Sequence, residues 1–213
     1  MNLRESLQLY FVMGSPNCEK HPAHVLEEAL LGGVTMFQFR EKGMEALEGD
    51  AKVELAHELQ RLCRKHGIPF IVNDDVELAL LLNADGVHIG QEDEPIEKVR
   101  RKIGNRILGV SSHDVNEARL AMESGADYLG VGPMFPTNTK NDCREVSGPK
   151  IIRSIRTNGI DIPLVGIGGI HSRNASQVLA AGADGVAIIS AISRHPFRTE
   201  NLAQVVQQKL LRL

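Results

Sequence analysis

Short runs rich in Val, Ile, Leu and Phe recur along the chain, each bounded by Gly, Pro or Asn. Between them, apolar residues fall three to four positions apart. The runs predict strands near 8–13, 34–39, 69–73, 85–89, 106–110, 127–131, 162–167 and 184–189. Helices fit near 22–32, 47–66, 75–83, 94–103, 115–124, 148–157, 173–181 and 199–212. The clearest helical stripe is Leu47, Ala51, Leu55, Leu59 and Leu62. Strands that are apolar at every position are buried on both faces, as in parallel α/β sheets. Eight of them in strict alternation with eight helices predict a (β/α)₈ TIM barrel, one domain over 1–213. A doubly wound open sheet is the alternative.

A weak repeat precedes the even strands. Asn83-Ala84-Asp85, Gly125-Ala126-Asp127 and Gly182-Ala183-Asp184 each begin with a residue that tolerates a left-handed helix cap and then enter a strand. Internal duplication and reuse of one turn chemistry both explain it.

Composition narrows the class. A net charge of −3, no Trp and only 2 Tyr argue against a nucleic-acid surface. Cys18, Cys63 and Cys143 are odd in number and widely spaced, which indicates neither a disulfide framework nor a zinc site. No apolar run approaches the roughly 18 residues of a membrane helix, and the N-terminus lacks a basic-then-apolar leader pattern. The expectation is a cytoplasmic enzyme with no membrane or nucleic-acid partner.

In a barrel, chemistry gathers where the strands end. Gln38 and Arg40 share one face of the second strand, with Val34 and Met36, and polar groups on a buried strand need partners. An anionic substrate would satisfy them; so would a salt bridge from Arg40 to Glu41 or Asp74. Lys42 and Lys140 add cations that a single bridge would not need. Asp74 and Asp93 lie just past the third and fourth strands and suit Mg²⁺, which takes one or two carboxylates plus substrate phosphates. Both are also candidate helix N-caps, although Asp75 or Glu92 could take that role.

Gly166-Ile167-Gly168-Gly169-Ile170 reads as a glycine turn opening a helix, where backbone N–H groups can cradle a phosphate. Close packing is the other reason for such glycines. Ile189-Ser190 adds donors after the eighth strand, and Thr137-Asn138-Thr139-Lys140 lies in the long loop 132–147. His88 reads as a satisfied core histidine or a base, as does His113. The sum is a site for two anions with Mg²⁺.

These motifs resemble the thiamine phosphate synthase (thiamine-phosphate pyrophosphorylase) family. The resemblance rests on Gln38-Phe39-Arg40-Glu41-Lys42-Gly43, Val72–Asp75, His88–Asp93, Gly109–His113, Gly132-Pro133 with Pro136–Lys140, Gly166–Ile170 and Ile189-Ser190. It runs from Leu9 to Ser193. It implies that Gln38, Phe39, Arg40, Glu41, Lys42, Asn73, Ser111 and Lys140 bind an aminopyrimidine diphosphate. Arg40, Lys42, Ser111 and Lys140 would be catalytic. It implies Mg²⁺ on Asp74 and Asp93, and a thiazole phosphate on Thr137, Asn138, Thr139, Gly169, Ile189 and Ser190. The implied reaction joins two phosphorylated small molecules with loss of pyrophosphate. A thiazole tautomerase using His113, a noncatalytic phosphate-ester binder and an indole-glycerol-phosphate type of barrel enzyme are the rivals. A homo-oligomer is left open, because such enzymes are commonly symmetric oligomers.

Overall fold

The computed structural model describes residues 2–137 and 145–211. Eight parallel strands close on themselves in sequence order. They are β1 (Leu9–Met13), β2 (Met36–Phe39), β3 (Phe70–Asn73), β4 (Gly86–Ile89), β5 (Ile107–Ser112), β6 (Tyr128–Val131), β7 (Leu164–Ile167) and β8 (Gly185–Ile188). Pairing of Leu9 with Val186 joins first strand to last and excludes the open sheet. The helices are α1 (Leu3–Ser6), α2 (Pro22–Leu31), α3 (Gly49–Lys65), α4 (Val76–Leu81), α5 (Ile96–Ile103), α6 (Val115–Glu123), α7 (Lys150–Thr157), α8 (Ala175–Leu179), α9 (Ser190–Ser193) and α10 (Thr199–Leu210). The one-turn helices α1 and α9 were not expected; four residues are too few to show a helical period. None of the described helices is long and apolar enough to cross a membrane.

Strand alternation sorts the side chains into two cores. Phe37, Phe39, Phe70, Val72 and Val87 pack outward under the helices. Tyr10, Val12, Met36, Ile71, Tyr128, Val165 and Ala187 fill the barrel interior. Positions two apart share a face, so Gln38 above Met36, Asn73 above Ile71, and Ser111 above Ile107 and Gly109 point inward.

The Asn/Gly-Ala-Asp repeat has a structural purpose at the closed end of the barrel. The carboxylate oxygens of Asp85, Asp127 and Asp184 each accept an N–H from the first or second residue of the preceding odd strand, from Phe70, Leu108 and Leu164, all at 2.8 Å. Thr35 Oγ1 does the same for Leu9 N at 2.8 Å, so the device recurs before all four even strands. Two residues earlier stand Gly33, Asn83, Gly125 and Gly182, all at positive φ. Val34 therefore fills the slot of Ala84, Ala126 and Ala183. This is why β2 begins at Met36 rather than at 34, and why Val34 packs in the outer core instead of sharing a face with Gln38. Arg100 ties Asp127 to the carbonyls of Gly104, Arg106 and Gly125, and Arg156 ties Asp184 to those of Ile160, Ile162 and Gly182.

Candidate active site

At the opposite rim the ends of β3 and β4 meet. Asp75, not Asp74, caps α4: its Oδ1 accepts Leu78 N at 2.9 Å and its Oδ2 pairs with Lys52 at 2.6 Å. Burial works against this carboxylate, yet Lys52 and the Leu78 N–H hold its pKa below the ordinary value. Asp74 is released for another use. It sits at φ 61°, a conformation that Asn and Asp tolerate better than most residues. Its carboxyl lies against that of Asp93, and Lys42 Nζ reaches its Oδ2 at 2.5 Å. Burial first, then the Asp93 charge, push the Asp74 pKa up, and Lys42 only partly offsets them. Asp93 does not cap α5, whose N-cap is Pro95; its Oδ2 instead accepts Gly90 N at 2.7 Å within the β4 loop.

Below this rim the interior holds one continuous polar chain. Gln38 Nε2 lies 2.8 Å from Tyr10 Oη, which is 2.7 Å from Tyr128 Oη. Tyr128 Oη is 2.9 Å from His88 Nδ1, and His88 Nε2 is 3.0 Å from Ser111 Oγ. Thus His88 is a satisfied interior histidine that also touches a candidate catalytic hydroxyl. Space for the rings comes from Gly109, where a Cβ would fall 2.1 Å from Tyr128 Cζ and 2.4 Å from His88 Nδ1. Tyr10 and Tyr128 were not among the sequence candidates. They are the chain's 2 tyrosines, and a phenol on an apolar inward face needs a partner; that was the available signal.

Neither the Phe39 nor the Glu41 side chain is aimed at the rim. Phe39 stacks on Phe70 in the outer core. Glu41 clamps the neighbouring loop, accepting from Ser15 N at 2.8 Å, Ser15 Oγ at 2.5 Å and Leu47 N at 2.8 Å. Only their backbone is available to a ligand. Arg40 is buried, and its N–H bonds Met13 O at 2.9 Å. Cys18 nearby is an inert thiol: burial and then Glu41 push its pKa up to about 12.

A cavity of about 240 Å³ opens inside the rim, lined by Lys42, Asp93, Ser111 and His113 on one side and by Thr137, Gly168, Gly169, Ile189 and Ser190 on the other. The glycine loop after β7 is zipped to the β6 loop by Met134 N to Ile167 O at 2.9 Å and Phe135 N to Gly168 O at 3.0 Å. A Cβ on Gly169, at φ 64°, would meet Pro136 O at 2.7 Å and Phe135 O at 2.8 Å. The expectation that this loop opens directly into a helix is corrected: residues 170–174 intervene before α8. Asn174 spans that gap, accepting His171 N at 2.8 Å and donating to Gly169 O at 3.0 Å. The helix that starts at the cavity is α9, which begins at Ser190 itself. Gly166 is a packing glycine, since a Cβ there would strike Val178 at 2.3 Å. Asn138, Thr139 and Lys140 lie outside the described residues.

The arrangement has an acidic pair with a lysine at one end of a cavity and a wall of Gly168, Gly169, Ile189 and Ser190 at the other. A family model described as thiamine monophosphate synthase matches residues 9–192. The chain belongs to the thiamine monophosphate synthase family. It is 60% identical over 194 residues to a thiamine-phosphate synthase of Geobacillus thermodenitrificans, covering 91% of this chain and 88% of that one. A Bacillus cereus thiamine-phosphate synthase is 57% identical over 202 residues, covering 95% and 90%. The solved thiamine phosphate pyrophosphorylase of Pyrococcus furiosus superposes with a TM-score of 0.86 at 37% identity, covering 98% of this chain and 100% of that one. An N-acetylmannosamine-6-phosphate 2-epimerase from Clostridium perfringens, at 14% identity and a TM-score of 0.67, shares the fold alone. Membership of this family makes the chain an enzyme, a transferase of thiamine biosynthesis.

Proposed function

We propose that this chain joins 4-amino-2-methyl-5-pyrimidinylmethyl diphosphate to hydroxyethylthiazole phosphate, giving thiamine phosphate and pyrophosphate, with Mg²⁺ held by Asp74 and Asp93. The observation that carries this reading is the facing of those two carboxylates beside Lys42, at the edge of a cavity whose far wall is formed by Gly168, Gly169, Ile189 and Ser190. Among the described residues no cluster of three or more His, Cys, Asp or Glu side chains forms. A pair alone suits Mg²⁺, which completes its shell with substrate phosphate and water. When bound, the ion supplies charge neutralisation of the departing pyrophosphate.

The chain's own groups do the rest. Asp74 and Asp93 would hold the cation, and Lys42, paired with Asp74 in the free chain, would add positive charge with Arg40 and Lys140 where negative charge develops. The aminopyrimidine can bear the resulting cation, so no protein nucleophile is required. Gly168, Gly169, Ser190 and Thr137 hold the thiazole phosphate so that the ring nitrogen stands within attack distance. Water must be kept from the cation, which it would otherwise trap as an alcohol. The unit that does this is the single barrel domain over 1–213.

One feature favours a second reading. His113 Nδ1 pairs with Glu117 at 2.8 Å and lines the cavity, as a thiazole tautomerase would need. That chemistry leaves Asp74 and Asp93 idle. Incubation with both substrates and Mg²⁺ distinguishes them: the synthase yields thiamine phosphate and pyrophosphate in equal amounts. Absence of both products, or rearrangement of the thiazole alone, overturns the proposal.

A further inference from the structure

Gln38 and Ser111 end the interior chain, Ser111 on the cavity wall, and the sense in which the chain's protons run fixes what each end can offer a ligand. We propose that Tyr10, Tyr128 and His88 are positioning residues that lock Gln38 as an acceptor and Ser111 as a donor, so that the site selects a pyrimidine carrying an exocyclic N–H beside an anionic group. The inference rests on the synthase reading for its ligand, but not for its hydrogen-bond logic.

Gln38 points its amide nitrogen at Tyr10 Oη. The Tyr10 hydroxyl then has Tyr128 as its acceptor, and the Tyr128 hydroxyl has His88 Nδ1. A neutral imidazole that accepts at Nδ1 carries its proton on Nε2, which donates to Ser111 Oγ. Ser111, on the cavity wall, is left to donate its own proton outward. Reversing any one link reverses all of them or strands a buried hydroxyl, at the usual cost of an unmade bond. In the reversed chain Gln38 would show the cavity its NH₂, and Ser111 would donate inward to the histidine.

Two further facts support the lock. Both phenols are fully buried, and burial raises both pKa values, so each stays a neutral O–H able to relay direction. Gln38 Oε1 accepts no hydrogen bond from any described residue and is not among the fully buried orphan atoms, so it keeps some access to a ligand. An anionic phosphate group favours the Ser111 donor, which selects the Gln38 acceptor across the barrel. That acceptor matches a 4-amino group and opposes a 4-oxo group.

The test uses equilibrium binding of the 4-amino and 4-oxo pyrimidinylmethyl monophosphates, which do not react without a thiazole partner. Wild-type protein should prefer the amino compound. In Tyr128→Phe the Tyr10 hydroxyl loses its acceptor and turns to Gln38 Oε1, flipping the amide. The preference should narrow by roughly tenfold or more, the scale of one misdirected buried hydrogen bond, with Tyr10→Phe intermediate. Equal loss of affinity for both compounds overturns the proposal. Independently, ¹⁵N spectra of the unliganded wild-type protein should show His88 protonated at Nε2 and bare at Nδ1; a proton on Nδ1 contradicts it. This spectrum does not depend on turnover, so failure of the lock and failure of the synthase reading are separable.

Discussion

Lys42 Nζ lies 2.5 Å from Oδ2 of Asp74, yet the Asp74 pKa is raised, because burial and the Asp93 charge outweigh the lysine. The folded chain therefore holds this proton more tightly than the unfolded chain, whose ordinary value is 3.8. Stability falls as pH rises through the window between 3.8 and the raised value, and the penalty is fully present at neutral pH. Asp74→Asn, which keeps a side chain suited to φ 61°, should melt higher than wild type at pH 7, with the gap closing as pH falls through that window. Thermal denaturation at several pH values checks this. Added Mg²⁺ should raise the wild-type Tm, and the variant should need a higher Mg²⁺ concentration for the same rise.

Asp75 should behave in the opposite way. Its Ala variant loses the Leu78 cap and the Lys52 pair. The loss of an N-cap costs about 0.5–2 kcal/mol, which lowers Tm by roughly 2–4 °C per kcal/mol in a chain of this size. The Mg²⁺ concentration at half-maximal rate should not move. A shift there would mean that Asp75, not Asp74, holds the cation.

Gly109→Ala drives a methyl group into Tyr128 and His88. Overpacking of this kind costs about 1–3 kcal/mol. Because the displaced rings support Ser111 and Gln38, the pyrimidine KM should rise more than the thiazole KM. Gly169→Ala should do the reverse, since its Cβ would collide with the Phe135 and Pro136 carbonyls beneath the cradle. Steady-state kinetics with each substrate varied in turn gives both results.

The brackets at the closed end should matter for stability alone. Asp184→Ala strands the Leu164 N–H and frees both Arg156 and Arg4. Asp85→Ala strands only the Phe70 N–H. An unmet buried donor costs about 1–3 kcal/mol, so both variants should melt lower, Asp184→Ala by more. At a temperature where each is folded, kcat should match wild type.

The barrel was legible because strands buried on both faces are apolar throughout, and β-period runs alternating with helical stripes have few alternatives. Where a boundary was misread, a longer-range contact decided it. Val34 is as strand-like as Met36, but its place in the Gly33–Thr35 bracket puts it in the outer core. The choice of Asp74 over Asp75 was open on sequence, because both precede α4; Lys52 from α3 settles which one caps. The Tyr10–Tyr128 pair was not legible, since it joins strands on opposite sides of the barrel and no local pattern links them. Phe39 and Glu41 sit within the matching segment, yet their side chains face Phe70 and Ser15.

The proposed task of Asp74 and Asp93 is to hold Mg²⁺ on the leaving pyrophosphate. The direct measurement is the rate of pyrophosphate release, with both substrates present, as Mg²⁺ is titrated into wild type, Asp74→Asn and Asp93→Asn. We expect no release in excess chelator, a saturating Mg²⁺ curve for wild type, and half-saturation displaced upward by roughly tenfold or more in each variant, at least the scale seen when a group supporting a metal ligand is lost. Full turnover in chelator, or variant curves that overlay the wild type, would contradict it.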